Sequence, residues 1–211
     1  MTGESDDRVD DAGTELPTHS EPEAGDGWPV TLSGVTESLV TTRGPNDRWN
    51  VAPLGLFSGD PVTARTWGNT RTKRNFHREG GGYVQFVDDP VTFADAALSI
   101  VERDDPVLES AAAWAEVSVT SLEVGDEDGT EWERWALEPV DAAVRRTRVP
   151  TIDRGFAAVI EATVAASRLG VAGYDDFELR QRLEWCASVV DRAGSDRERE
   201  ALDRLGEHVE W

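Results

Sequence analysis

From Trp28 onward, apolar residues fall in short alternating runs separated by turn-forming residues. This two-residue period predicts strands at 35–42, 49–57, 62–67, 83–87, 115–124 and 131–139. The linkers Gly44-Pro45-Asn46-Asp47, Ser58-Gly59-Asp60-Pro61 and Gly125-Asp126-Glu127-Asp128-Gly129 hold the residues that tight turns favour, so they predict hairpins joining the first, second and last strand pairs. Two stretches break the alternation, one near 70–78 and one near 91–98 behind Asp88-Asp89-Pro90, and both read as helical insertions. Six strands at this spacing imply a small β-barrel. Pro53 removes an amide from the second strand and predicts an edge or a bulge there, while Gly55 leaves room for another group beside the backbone.

Beyond Pro150 the apolar period lengthens. Phe156, Val159, Ile160, Val164 and Leu169 recur at helical intervals, and after the break Gly170-Val171-Ala172-Gly173 so do Phe177, Leu179, Leu183, Cys186 and Val190. A third, strongly charged helix is expected over 196–208. A helical unit of about 60 residues is small for an independent core, which predicts that it packs on the barrel or on a second subunit. The chain therefore divides into a tail over 1–27, a barrel over 28–149 and a helical domain over 150–211, an α+β organisation.

Charge changes this picture in two ways. The 211-residue chain holds 42 acidic and 21 basic residues, a net charge of −21, and every cation except Lys73 is arginine. Such a field opposes non-specific binding to nucleic acid, whose affinity comes largely from cations that displace phosphate counterions. It points instead to a salt-adapted cytoplasmic protein of a halophilic archaeon, in which carboxylates keep the surface hydrated while salt screens their repulsion. The acids Glu4, Asp6, Asp7, Asp10, Asp11, Glu15, Glu21, Glu23 and Asp26, set against Arg8 alone, mark 1–27 as a disordered acidic tail. The N-terminus carries neither the basic start nor the apolar stretch of a signal peptide, no run is long enough to span a membrane, and the single cysteine excludes an intrachain disulfide.

The second change is local. Residues 65–78 contain Arg65, Arg71, Lys73, Arg74 and Arg78 and no acid, in a chain that is otherwise acidic throughout. Asn69, Thr70 and Thr72 add short hydrogen-bonding side chains where a helix is expected to begin, and a helix start presents free amides with partial positive charge. The segment reads as a phosphate site, with a basic, solvated helix face as the alternative. In strong salt the screening length is only about 3 Å at 1 M, so such a site must work by direct contact. Arginine and threonine supply donors suited to charge-assisted hydrogen bonds.

The order strand, Asn50-Val51-Ala52-Pro53, strand, Thr72-Lys73-Arg74-Asn75-Phe76, then a strand from Tyr83, resembles flavoredoxin-type flavin reductases of the FMN-binding split-barrel superfamily. It is most similar to the archaeal group called domain of unknown function 447, with Arg154–Ala162 resembling the start of that group's helical domain. The resemblance implies a homodimer of six-stranded split β-barrels, each followed by a small C-terminal helical domain, with FMN in a groove between subunits. It places Thr72 and Asn75 beside the FMN phosphate, with Thr70, Arg71 and Lys73 as further donors. Asn50, Ala52 and Pro53 then run along the flavin ring, and Thr66, Trp67 and Asn69 adjoin the ribityl chain or ring edge. Where the reductases usually have Phe-Val-Val-Asn, this chain has Tyr83-Val-Gln-Phe-Val87.

The functional expectation is an FMN-dependent oxidoreductase or flavin reductase that takes hydride from NAD(P)H. Two alternatives stay open: a non-catalytic FMN carrier or flavin-dependent regulatory module, and a cofactor-free dimeric assembly protein whose helices recruit partners. No catalytic or metal-ligating constellation stands out, since His19 lies in the tail, His208 near the terminus, and His77 on an expected solvent-facing helix position. Gly80-Gly81-Gly82 reads as a flexible turn, Cys186 as core, and Arg145, Arg146, Arg148 and Arg154 as partners for surface acids.

Overall fold

The computed structural model describes residues 27–127 and 129–211, so the acidic tail anticipated at 1–27 lies, apart from Gly27, outside the described residues. Its strands are β1 (Val35–Arg43), β2 (Trp49–Phe57), β3 (Val62–Trp67), β4 (Gly81–Val87), β5 (Val101–Arg103), β6 (Ala111–Glu127) and β7 (Thr130–Val144). Its helices are α1 (Arg71–Glu79), α2 (Pro90–Leu98), α3 (Arg154–Ala166), α4 (Asp176–Ala193) and α5 (Asp196–His208). The strands run in the order β1-β4-β6-β7-β3-β2, and the pairing of β2 back onto β1 closes a six-stranded antiparallel barrel, with β5 attached outside the ring to β2. An α+β fold of this kind was expected, and all six barrel strands fall where the alternation put them.

Two features depart from the expectation. β5 is only three residues long, too short to carry a period, and it exists because Val101 and Arg103 pair with Val51 and Trp49. β6 and β7 extend well past their anticipated ends, since Ala111–Ala115 alternates between buried and half-buried with too little change in hydrophobicity to register as a pattern. Bulges near Glu116/Val117 and Ser121/Glu123 bend this long hairpin within the barrel wall.

Pro53 sits where its chemistry requires. β2 pairs with β1 along its whole length, but its other side meets β5 only at 49–51 and β3 only at 56–57. Residues 52–55 are thus a local edge, and the missing proline amide costs no ladder bond.

Inside the barrel, Val40, Leu54, Leu56, Phe76, Val84 and Trp135 form one core. A second core joins α3, α4 and α5, with Val159, Leu183, Cys186, Val190 and Leu205 fully or almost fully buried, and it includes Val91 and Ala94 of α2. Although α2 lies between barrel strands in the chain, it packs into the helical layer, and Arg197 of α5 pairs with Asp89, the α2 N-cap, at 2.8 Å. Phe93 and Ala96 on α2, packed with Leu39 and Val51 below and Phe156 and Ile160 of α3 above, join the helices to the barrel.

Short polar side chains start every helix: Thr70, Asp89, Asp153, Asp175 and Ser195 each accept a first-turn amide, and Ser195 forms a full capping box with Glu198. The glycine run after α1 is not the flexible turn it resembles. Gly80 is the left-handed cap, at φ 71°, while Gly81 and Gly82 open β4, where a Cβ would come within 2.4 Å of the Val117 carbonyl oxygen and 2.6 Å of that of Thr41. Gln85, in the stretch that departs from the reductase pattern, is fully buried. It donates to Thr41 Oγ1 at 3.0 Å and to the Pro106 carbonyl at 2.9 Å, and it accepts from the Leu108 amide at 2.7 Å, so it anchors the loop between β5 and β6. Among the described residues no helix is long and apolar enough to cross a membrane.

Candidate functional site

The strand edge at 52–55, the end of β3 and the start of α1 converge beneath α2 and α3. Between them lies a cavity of about 500 Å³, within the range of small-molecule and cofactor sites, about 300–1,000 Å³. β2 lends Asn50, Ala52 and Pro53 to its wall, β3 lends Thr66 and Trp67, and the start of α1 lends Thr70, Arg71 and Thr72. Phe93, Ala96 and Ala97 of α2, with Thr163, Val164 and Ser167 from α3 and its cap, form the roof.

The polar wall is preorganised. The Thr70 hydroxyl accepts the Lys73 amide at 3.3 Å, which fixes the helix start and leaves the hydroxyl proton free to be donated. The amides of Arg71 and Thr72 lie in the first turn, where no intrahelical acceptor exists. Arg71 Nη1 is 2.7 Å from Glu102 Oε1, a contact that aims the guanidinium and uses one of its five N–H groups. Asn50 is 6 % exposed, and its side chain makes no hydrogen bond among the described residues although it borders the cavity. Its amide keeps access to the cavity and is free to meet a ligand there. The Thr66 hydroxyl accepts from Trp135 Nε1 at 3.0 Å and ties β3 to β7, whereas the neighbouring Trp67 indole remains 39 % exposed.

The cavity brings together eight of the residues singled out from sequence: Asn50, Ala52, Pro53, Thr66, Trp67, Thr70, Arg71 and Thr72. Asn69, Lys73 and Asn75 lie outside its lining. Asn69 accepts from Arg74 Nη1 through its backbone oxygen at 2.6 Å and its side chain at 3.1 Å, which braces the turn before α1. Asn75 is buried, donates to Thr42 Oγ1 at 2.9 Å and accepts from Arg78 at 2.9 Å, pinning α1 to β1.

Lys73 turns toward β7. Its ammonium pairs with Glu131 and lies 3.5 Å from Glu133, which is 2 % exposed. Glu133 also accepts from Ser121 Oγ at 2.6 Å and sits 2.9 Å from His77 Nε2. Burial alone would raise this carboxyl, but the hydrogen bonds from Ser121 and His77 and the nearby charges of His77 and Lys73 hold it below the usual glutamate value of 4.5. His77 is thus more than a solvent-facing position, because it clasps Glu133 and packs edge-on to Trp135 at 4.9 Å. Glu37 on β1 also borders the cavity, and its carboxyl is raised by partial burial and then by repulsion from Glu161.

The roof escaped the sequence reading. Phe93, Thr163, Val164 and Ser167 sit on helices whose periodicity announced only core, and nothing local indicates which turn of α3 will overhang β2. Cys186 is core as expected, its thiol raised by burial and by Glu161. Arg146 and Arg148 pair with Asp88 at 3.7 and 2.8 Å, the surface role anticipated for them, whereas Arg145 donates to the Leu108 carbonyl at 3.0 Å. Among the described residues no group of three histidine, cysteine or acidic side chains is placed to hold a metal.

Comparison with known proteins adds the following. Residues 36–146 match the family model described as the N-terminal domain of a protein of unknown function, DUF447, and residues 153–207 match the accompanying DUF447 model. Among solved structures, an FMN-bound DUF447 protein from Methanosarcina mazei superposes with a TM-score of 0.72 at 24 % identity, over 84 % of this chain and 96 % of that one. The flavin reductase of the styrene monooxygenase of Pseudomonas putida S12 matches over 54 % of this chain and 82 % of that one, at 15 % identity and a TM-score of 0.39. Flavoredoxin from Methanosarcina acetivorans matches over 57 % and 77 %, at 11 % identity and 0.39.

Proposed function

This chain belongs to the DUF447 family, and on that premise we propose that it binds FMN in the cavity beneath α2 and α3 and acts as a flavin-dependent oxidoreductase that accepts hydride from NAD(P)H. One observation carries the reading: in a molecule of net charge −21, a single cavity joins an uncommitted helix N-terminus, Arg71 and two threonines to a largely apolar roof. That combination suits a ligand with an anionic end and a flat, apolar body. The FMN-bound relative from Methanosarcina mazei supports the choice of flavin.

In this reading Thr70, Arg71, Thr72 and the first-turn amides hold the phosphate, and Asn50 completes its hydrogen bonding against the ligand. The β2 edge at Ala52 and Pro53 presents unladdered backbone to the ring, while Thr66 and Trp67 flank the ribityl chain or ring edge. Asn69, Lys73 and Asn75 act by positioning α1. Bound flavin supplies hydride and electron acceptance; the chain supplies grip, orientation and, through the α2–α3 roof, exclusion of water. Because no acid–base constellation lines the cavity beyond Glu37, the chemistry asked of side chains is small.

The long β6–β7 hairpin exposes Leu122, Val124, Val140 and Val144, apolar residues that favour a homodimer built on this hairpin. The charge balance supports a cytoplasm rich in salt. The test is to purify the protein in molar KCl, add FMN, and record the visible spectrum and flavin fluorescence. A perturbed, stoichiometric flavin spectrum is expected, and unchanged free-flavin spectra overturn the reading. NADPH oxidation by the loaded protein then separates a reductase from a carrier.

A further inference from the structure

α1 has another face, on which the flavin reading uses Arg71 but leaves Arg74 and Arg78 without a ligand. Arg71, Arg74 and Arg78 follow one another at helical spacing and line a cleft of about 460 Å³ with Asn46, Asn50 and Asn75, where Glu102 is the only acid. Arg71 pairs with Glu102 and Arg78 with the adjacent Glu79, each at 2.7 Å, while Arg74 meets no acid among the described residues, in a chain that has two acids for every base.

The arginines are held from behind. Arg74 Nη1 is anchored on Asn69, Arg78 Nη2 on Asn75 Oδ1 and the Arg43 carbonyl, and Arg71 Nη1 on Glu102. Each contact orients a planar fork and leaves further N–H donors uncommitted among the described residues. Asn50 borders this cleft as well as the cavity, and so does Arg71. The two spaces therefore meet at the wall that Asn50 and Arg71 share.

We propose that this cleft binds the phosphate groups of a second nucleotide substrate, the reductant, beside the flavin phosphate, on Arg74 and Arg78 with Arg71 shared at the common wall. The identity of that nucleotide rests on the proposed flavin function, whereas the anion site rests on the cleft alone. A phosphoanhydride fits best, because it spreads its charge over oxygens several ångströms apart and so engages successive forks along the helix, whereas a lone carboxylate is satisfied by one. Contact-range donors also keep working in strong salt, where a diffuse positive field does not. Glu102 acts as an internal stand-in for the ligand: it holds Arg71 at 2.7 Å and lies 3.8 Å from Arg48, and it gives up Arg71 when phosphate arrives.

The experiment titrates inorganic pyrophosphate by calorimetry into the full chain in molar KCl, with and without FMN, for wild type, Arg74→Ala and Arg78→Lys. Arg78→Lys keeps the charge and the helix but loses the fork. Circular dichroism confirms that each variant is folded. Pyrophosphate is expected to bind wild type and to bind each variant about tenfold more weakly, with FMN affinity within about twofold of wild type and the KM for NADPH raised. Absence of pyrophosphate binding, or equal binding to all three proteins, overturns the proposal. A matching loss of FMN affinity in the variants also overturns it, since the cleft would then be the flavin's own phosphate site. Pyrophosphate binding that depends on these arginines in a protein that takes up no FMN supports the anion site and overturns the flavin reading.

Discussion

The two sides of α1 carry the same kind of charge and put it to opposite uses. Toward β7, Lys73 and His77 are committed to Glu131 and Glu133 and have become part of the packing. Toward β2, Arg71 and the threonines border open space with donors to spare. What separates them is the barrel register. β3 pairs with β7 so that Thr66 faces Glu133 and Trp67 faces Trp132, which brings two carboxylates under one side of the helix that follows β3. The other side faces β2 at its unpaired edge, where the acids among the described residues are Glu102, which pairs with Arg71, and Glu37 across the cavity. Here the sheet engages one N–H of Arg71 through Glu102 and leaves its other donors available.

The sharpest way to break this contrast is to empty the packed side. Glu133→Ala leaves Lys73, His77 and Ser121 around a buried vacancy, and breaking a buried ion pair in this way costs about 3–5 kcal/mol. Denaturant unfolding in molar KCl should show a loss of that size, with FMN binding surviving wherever the protein remains folded. A loss below about 1 kcal/mol, the worth of an exposed pair, would mean that the clasp is ornamental.

On the open side the effects reverse. Arg71→Ala and Thr72→Ala each remove a donor from a charged oxygen, so each should weaken FMN by about 1–3 kcal/mol while unfolding shifts little. Fluorescence titration of flavin measures the first effect and chemical denaturation the second. Equal losses of stability and affinity would show that the two sides of α1 are one structural unit. Lys73→Ala is the smaller control. Glu131 is exposed, and Ser121 and His77 still hold buried Glu133 when Lys73 is gone, so the expected cost is smaller than for Glu133→Ala, about 1–2 kcal/mol, with FMN affinity almost unchanged.

Much of this was legible in the chain. The barrel strands announced themselves because each has one face in a core and one in water, as in β6, where Ala113, Ala115 and Val117 point inward between half-buried Trp114 and Glu116. The cation-rich start of α1 stood out against an acidic background, and Pro53 marked the unpaired edge that faces it. What could not be read depends on residues far apart in sequence. Lys73 lies 58 positions from Glu131, and only the β3–β7 register joins them. Likewise α2 looks like a barrel insertion until its Val91 and Ala94 are seen inside the helical core, which is why the roof over the cavity had no local signature.

pH offers the finest probe of the same contrast, because the carboxyls on the two sides titrate in opposite directions. Glu133 has a folded value below its unfolded one of 4.5. Its contribution to stability is therefore complete above about pH 4.5 and drains away as the pH falls through the folded value, since the unfolded chain takes up the proton first. Glu37, beside the cavity, is raised by partial burial and then by Glu161, so the folded chain holds its proton to higher pH than the unfolded one. Stability from that site declines as the pH climbs from about 4.5 through the raised value. Glu133→Gln should accordingly flatten the acid limb of a stability–pH curve, and Glu37→Gln should relieve the decline on the neutral side. Denaturation midpoints measured from pH 3 to 8, a range chosen to span roughly the carboxyl and histidine titrations, decide the matter. Superimposable limbs for wild type and Glu133→Gln would mean that His77, Lys73 and Ser121 do not hold the buried carboxylate, and the division of α1 into a packed and an open side would lose its energetic basis.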